Sequence, residues 1–234
     1  MLIDIAQDVE RLTEIPPVLD ISAVALGAVQ GAVFATRMAE ERRIDITGIV
    51  IIGIASGLGG GIMRDLLLNV TPVTLRNPAM LTTAITAALL GMALAPAINR
   101  IERLVVAVDA AALGMYLMVG LATATDRRLG VVPTVFVGVI ACTGGSVIRD
   151  TLLQTQVAIV RVGSFYSFAA ILGAVAYSLA YELSTVQVAG IAAVGVTFAS
   201  RMAAVRWGWR APRAQVLNTR ALRKLARQAR PAKS

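Results

Sequence analysis

The sequence predicts an all-α integral membrane protein of seven transmembrane helices: two inverted three-helix repeats followed by a seventh helix. Three observations carry this. The chain is 57% hydrophobic and only 15% charged, more apolar surface than a soluble core of this length can hide. The apolar residues fall into blocks of about 20, the length at which a helix crosses the roughly 30 Å hydrocarbon layer. A glycine-rich segment ending in Arg-Asp also occurs twice, and such long-range self-similarity marks a repeated unit.

Residues 1–17 are acidic and lack an apolar core. They read as an extracytoplasmic segment rather than a cleavable signal peptide, with the first span as an uncleaved insertion signal. Spans are expected at about 18–37, 46–68, 79–98, 104–124, 130–153, 162–181 and 185–203. The first repeat occupies 18–98, the second 104–181 and the seventh helix 185–203. Between the last two spans, Glu182, Ser184 and Gln187 are the only break in a long apolar stretch. Residues 204–234 form a basic cytoplasmic tail. In it Trp207 and Trp209 suit a membrane interface. Val216–Ala229 can form a helix that sets Leu217, Leu222 and Leu225 against Arg220, Arg223, Lys224 and Arg227, a pattern suited to anionic lipid.

Seven spans put the termini on opposite sides. With the tail inside, 17 Lys and Arg lie on the inner side and 5 on the outer. The positive-inside rule then favours an external N-terminus and a cytoplasmic C-terminus. The net charge of +8 would suggest nucleic acid in a soluble protein. Here the basic residues lie between apolar blocks and in the tail, so they read as topology signals and lipid contacts.

Gly53–Asn69 (GIASGLGGGIMRDLLLN) aligns without a gap on Gly138–Gln154 (GVIACTGGSVIRDTLLQ). Upstream, Leu19–Gly31 aligns on Val108–Gly120, placing Asp20 over Asp109. A repeat of three spans must insert its second copy upside down, the plan of many transport proteins. Gly57, Gly59, Gly60, Gly61, Gly144 and Gly145, with Ser146 where a third glycine would stand, weaken their helices by about 1 kcal/mol per glycine relative to Ala. A kink or unwound turn there leaves backbone groups that only a wet cavity satisfies, so these residues are candidate pore-lining positions. The other reading of the same glycines is close helix packing.

Arg64, Asp65, Arg149 and Asp150 cost about 2.5–3.5 kcal/mol each if they meet lipid. They are expected to face the interior. Neighbours on a helix diverge by about 100°, which argues against pairing within each Arg-Asp dipeptide. Depth favours Asp20–Arg64 near one surface and Asp109–Arg149 near the other. The alternative is that both arginines snorkel to the headgroups.

No catalytic or metal site is expected. The chain has no His and one cysteine, Cys142, best read as a packing residue, while Ser56 and Ser146 lack a base. Neither a TVGYG-like filter nor a P-loop occurs.

The doubled Gly-Gly-x-x-x-Arg-Asp motif, the Asp in spans one and four and the three-plus-three-plus-one plan resemble the bacterial UPF0126 or "glycine transporter" family. This family looks like the prokaryotic branch of the trimeric intracellular cation (TRIC) channels. The resemblance covers about residues 18–205. It implies a homotrimer in the bacterial inner membrane, in contact with lipid, with a potassium-permeable hourglass pore in each protomer lined by kinked spans two and five. It implies no cofactor, no nucleic acid and no enzyme activity; potassium or sodium is the permeant species. Animal members hold a phosphoinositide through lysines. This chain has no Lys before Lys224, so that site is not carried over. The alternative function is a secondary transporter of a small solute such as an amino acid, since broken-helix ends also suit a zwitterion.

Overall fold

A computed structural model describes residues 17–160 and 165–209. These contain eight α-helices and no strand: α1 (Pro17–Arg42), α2 (Ile46–Leu67), α3 (Val73–Arg76), α4 (Pro78–Ile98), α5 (Glu102–Asp126), α6 (Val131–Leu152), α7 (Tyr166–Leu183) and α8 (Val186–Trp207). Seven of them, all but α3, are long and apolar enough to cross a membrane. Helix α1 runs five residues beyond its expected end, through Met38–Arg42, where good helix formers continue past the apolar block. Helix α8 runs on to Trp207, whose exposed ring meets that of Trp209 at 5.4 Å. The proposed tail helix at Val216–Ala229 lies outside the described residues, as do residues 1–16.

Local chemistry sets the helix starts. Asp45 accepts a hydrogen bond from the Gly48 amide at 2.7 Å to begin α2. Asn77 caps α4 ahead of Pro78, a residue preset for the first helical turn. The ends of α2 and α6 share one device. Asn69 (φ 54°) and Gln154 (φ 51°) turn left-handed, and the amides of Val70 and Thr155 reach back to the Asp65 and Asp150 carbonyls, each at 2.9 Å. This closes both helices in a Schellman-type turn.

Packing follows the repeat except that α8, which lies outside it, takes the place against α5 that α4 holds against α1. Helix α1 lies against α2 and α4, α5 lies against α6 and α8, and α2 crosses α6 at the centre. The buried residues are mostly small: Ala28, Ala32, Ala84 and Ala88 in the first half, and Ala170, Ala174, Ala189 and Ala193 in the second. Without a hydrophobic drive between helices in lipid, such residues hold a bundle by letting backbones approach. Large apolar side chains point outward instead, including Leu81, Leu89 and Leu94 on α4 and Ile171, Leu172 and Leu179 on α7.

Candidate functional site

The charged motifs at the ends of α2 and α6 are buried, with Arg64, Asp65, Arg149 and Asp150 each no more than 3% exposed. Asp65 Oδ1 accepts from Arg64 Nε at 2.8 Å, and its Oδ2 accepts from the Val73 amide at 2.8 Å. Asp150 repeats this: Oδ1 accepts from Arg149 Nε at 2.8 Å and Oδ2 from the Ala158 amide at 2.8 Å. Each aspartate thus ties its arginine to the loop eight residues onward. This corrects the expectation that adjacent Arg and Asp do not pair. The 100° divergence applies to Cα–Cβ directions, and the flexible arginine stem spans it while the loop amide pins the carboxylate.

The arginine tips differ between the repeats. Arg64 Nη1 and Nη2 donate to Asp20 Oδ1 and Oδ2 at 3.3 and 3.2 Å, a two-pronged contact that suits a guanidinium. Arg149 makes no ion pair with Asp109. Its second bond goes again to Asp150, from Nη2 at 2.6 Å, and its guanidinium lies 4.3 Å over the Phe34 ring. Asp109 instead meets Arg201 of α8 at 3.6 Å and accepts from Gln30 Nε2 at 2.8 Å. The expected Asp109–Arg149 pair is therefore replaced. The seventh helix has no counterpart in the repeat, and it delivers a competing cation to one half only.

The glycines of α2 and α6 lie in unbroken α-helix, so the expected unwound turn is absent. Their surroundings match the packing alternative. A Cβ on Gly60 would strike the Ala141 carbonyl oxygen, and one on Gly145 the Ser56 carbonyl oxygen. A Cβ on Gly59 would lie 3.3 Å from the Gly145 Cα, and one on Gly144 3.3 Å from the Gly60 Cα. Under the repeat alignment every contact recurs with its roles exchanged, so a pseudo-two-fold axis passes through the crossing. Gly57 packs against α1, where its Cβ would lie 2.8 Å from the Ala28 Cβ and from the Val24 carbonyl oxygen. Gly61 faces open space.

Two polar cavities lie at opposite ends of the bundle. One, of about 300 Å³, is lined by Asp20, Arg64, Asp65, Arg76, Thr123 and Asp126 among others. The second, of about 210 Å³, is lined by Gln30, Phe34, Asp109, Arg149, Tyr166 and Arg201 among others. A void of about 20 Å³ lies between them at mid-helix, bordered by Gln30, Ser56, Asp109, Tyr116, Ser146 and Tyr166, with Gly27 and Gly145 behind. Along α1 the order is Asp20, Gly27 and Gln30, then Phe34. Along α5 it is Asp109, Tyr116, then Thr123, the reverse direction through the same three spaces. Of the seven candidate pore positions, Gly145 and Ser146 border this waist. Tyr116 closes it toward the Asp20 cavity, with its ring against Gly27 and Gly60 and its hydroxyl donating to the Gly57 carbonyl.

Sequence reasoning missed Gln30, Tyr116, Tyr166 and Arg201 as site residues. Arg201 had a usable signal, because a charge inside an apolar span is a functional candidate by default. The tyrosines had none, since an aromatic in an apolar block reads as core.

The family described as "Glycine transporter" matches residues 17–96 and 106–182. The UPF0126 inner membrane protein YadS of Escherichia coli K12 is 30% identical over 198 residues, covering 83% of this chain and 93% of that protein. A UPF0126 membrane protein of Deinococcus radiodurans is 33% identical over 158 residues, covering 67% and 72%. Among solved structures, a TRIC cation channel superposes with a TM-score of 0.74 at 29% identity, covering 87% of this chain and 98% of that one. The trimeric intracellular cation channel orthologue from Rhodobacter sphaeroides gives 0.73 at 30% identity, covering 82% and 97%. These relatives are membrane and channel proteins rather than enzymes. A twice-matched family, relatives aligned over most of their length and the same seven-span fold place this chain in the glycine transporter (UPF0126) family, the prokaryotic branch of the TRIC channels.

Proposed function

We propose that this protein is a monovalent cation channel, potassium being the physiological ion, with one pore through each protomer of a homotrimer in the bacterial inner membrane. The observation that carries this reading is the pair of cavities with charged side chains in their walls at opposite ends of the bundle, one opening on a narrow waist beside the α2–α6 crossing and the other separated from that waist by Tyr116. The solved relatives that share the fold are cation channels. Buried Arg-Asp pairs fix the walls of both cavities, and Asp20 and Asp109, each paired with an arginine, place carboxylate oxygens on the route. Purified protein in planar bilayers should give unitary current steps in potassium chloride. Saturable counterflow of a small solute without such steps would replace this reading with a secondary transporter, which the family's description favours.

The orientation proposed is N-terminus out and C-terminus in, from the bias of Lys and Arg. A C-terminal reporter should then lie in the cytoplasm and an N-terminal tag outside. Protease protection with the reverse pattern would exchange the sides assigned to the two cavities.

A further inference from the structure

We propose that the waist is a binding site for one dehydrated monovalent cation, ligated by the Asp109 carboxylate, the Gln30 amide oxygen and the hydroxyl oxygens of Ser56, Ser146 and Tyr166. This rests on the channel reading and adds a selectivity element to it. Size comes first. A void of about 20 Å³ admits one water-sized particle, for which roughly 10–15 Å³ suffices. An ion with its hydration shell does not fit. Any cation crossing here sheds water, and the wall must replace that shell, as oxygen-lined filters do.

The polarity of the wall decides the sign of the occupant. A carboxylate only accepts, so the bond from Gln30 Nε2 to Asp109 Oδ1 commits the amide nitrogen and leaves Gln30 Oε1 as the free end. Tyr166 donates its hydroxyl hydrogen to Ser146 Oγ at 3.4 Å, and Ser146 donates its own to the Thr143 carbonyl at 2.8 Å. Tyr116 donates to the Gly57 carbonyl. The hydrogens of Tyr166, Ser146 and Tyr116 are engaged and leave oxygen lone pairs over, and the Ser56 hydroxyl, which makes no hydrogen bond among the described residues, is free to turn its oxygen to the void. A wall of acceptors around one carboxylate suits a cation and repels an anion. Gln30, Asp109 and Tyr166 also line the Asp109 cavity, so the site opens on that side. There Arg201 pairs with Asp109 at 3.6 Å and lies 5.2 Å over the Tyr166 ring, so an arriving cation takes the carboxylate by displacing this guanidinium.

The test is single-channel conductance against potassium concentration for the wild type, Ser56→Ala and Asp109→Asn, each checked for correct assembly by size-exclusion chromatography. Wild-type conductance should saturate. Ser56→Ala, which removes one oxygen ligand, should raise the half-saturating concentration about fivefold. Asp109→Asn should lower the cation-to-anion permeability ratio about tenfold or more, read from the reversal potential in a potassium chloride gradient. Should Asp109→Asn fail to assemble, Ser56→Ala decides alone. Unchanged half-saturation in Ser56→Ala, or an unchanged permeability ratio in an assembled Asp109→Asn, overturns the site while leaving the channel reading intact. Absence of unitary currents from the wild type overturns both.

Discussion

Gly60→Ala and Gly145→Ala are each expected to lower the thermal unfolding midpoint of the purified protein sharply and to reduce the yield of assembled oligomer. The added methyl group lands on a backbone carbonyl oxygen, Ala141 in one case and Ser56 in the other. A backbone atom at a helix crossing cannot swing aside as a side-chain tip can. The cost is that of forcing a methylene into a packed core, about 1–3 kcal/mol, and it exceeds the gain in helix propensity of up to about 1 kcal/mol. Gly61→Ala supplies the control. No atom lies within 4 Å of its would-be Cβ, so only the propensity gain remains and the midpoint should hold or rise. If Gly60→Ala were as stable as Gly61→Ala, the close-crossing account of the α2–α6 contact would fail.

The second large effect is expected at the loop-anchoring aspartates. Asp150→Ala removes the only hydrogen-bonding partner that the Arg149 guanidinium has among the described residues, along with the acceptor for the Ala158 amide. Breaking a buried pair from one side costs roughly 3–5 kcal/mol, because a buried charge is left uncompensated. Asp65→Ala should cost less, because Arg64 keeps both prongs of its contact with Asp20. The ordering Asp150→Ala worse than Asp65→Ala worse than Asp20→Asn is therefore the checkable outcome, measured as unfolding midpoints in one detergent. Equal midpoints for the first two would mean that Asp20 contributes nothing to holding Arg64.

What the sequence made legible follows from how local each signal is. Apolar block length and the doubled motif are read along the chain, so the seven spans and the repeat were accessible. The meeting of Asp20 with Arg64 followed from depth alone. The partner of Asp109 did not, because the symmetry argument pointed to Arg149, while Arg201 comes from the one helix outside the repeat. The choice between the two readings of the glycines was not legible for a related reason. Propensity describes a helix in isolation, and the Ala141 and Ser56 carbonyls that forbid a side chain belong to the opposite helix. The short α3, Val73–Arg76, owes its place to a hydrogen bond from its first amide to Asp65, a long-range cause with no signature in four residues.

The reciprocity of the α2–α6 crossing has a consequence for how such a chain can be built. A surface that meets its own inverted copy through the same residues does not require that the copy be covalently joined. A three-helix unit inserted into a membrane in both orientations would present that surface to itself and dimerise antiparallel. The loop charges, which fix one orientation per repeat, and Arg201 of the helix outside the repeat are among the features that would distinguish the fused chain from such a dual-topology pair. Splitting the gene between Ile98 and Glu102 and co-expressing the halves asks directly whether the crossing alone assembles the bundle.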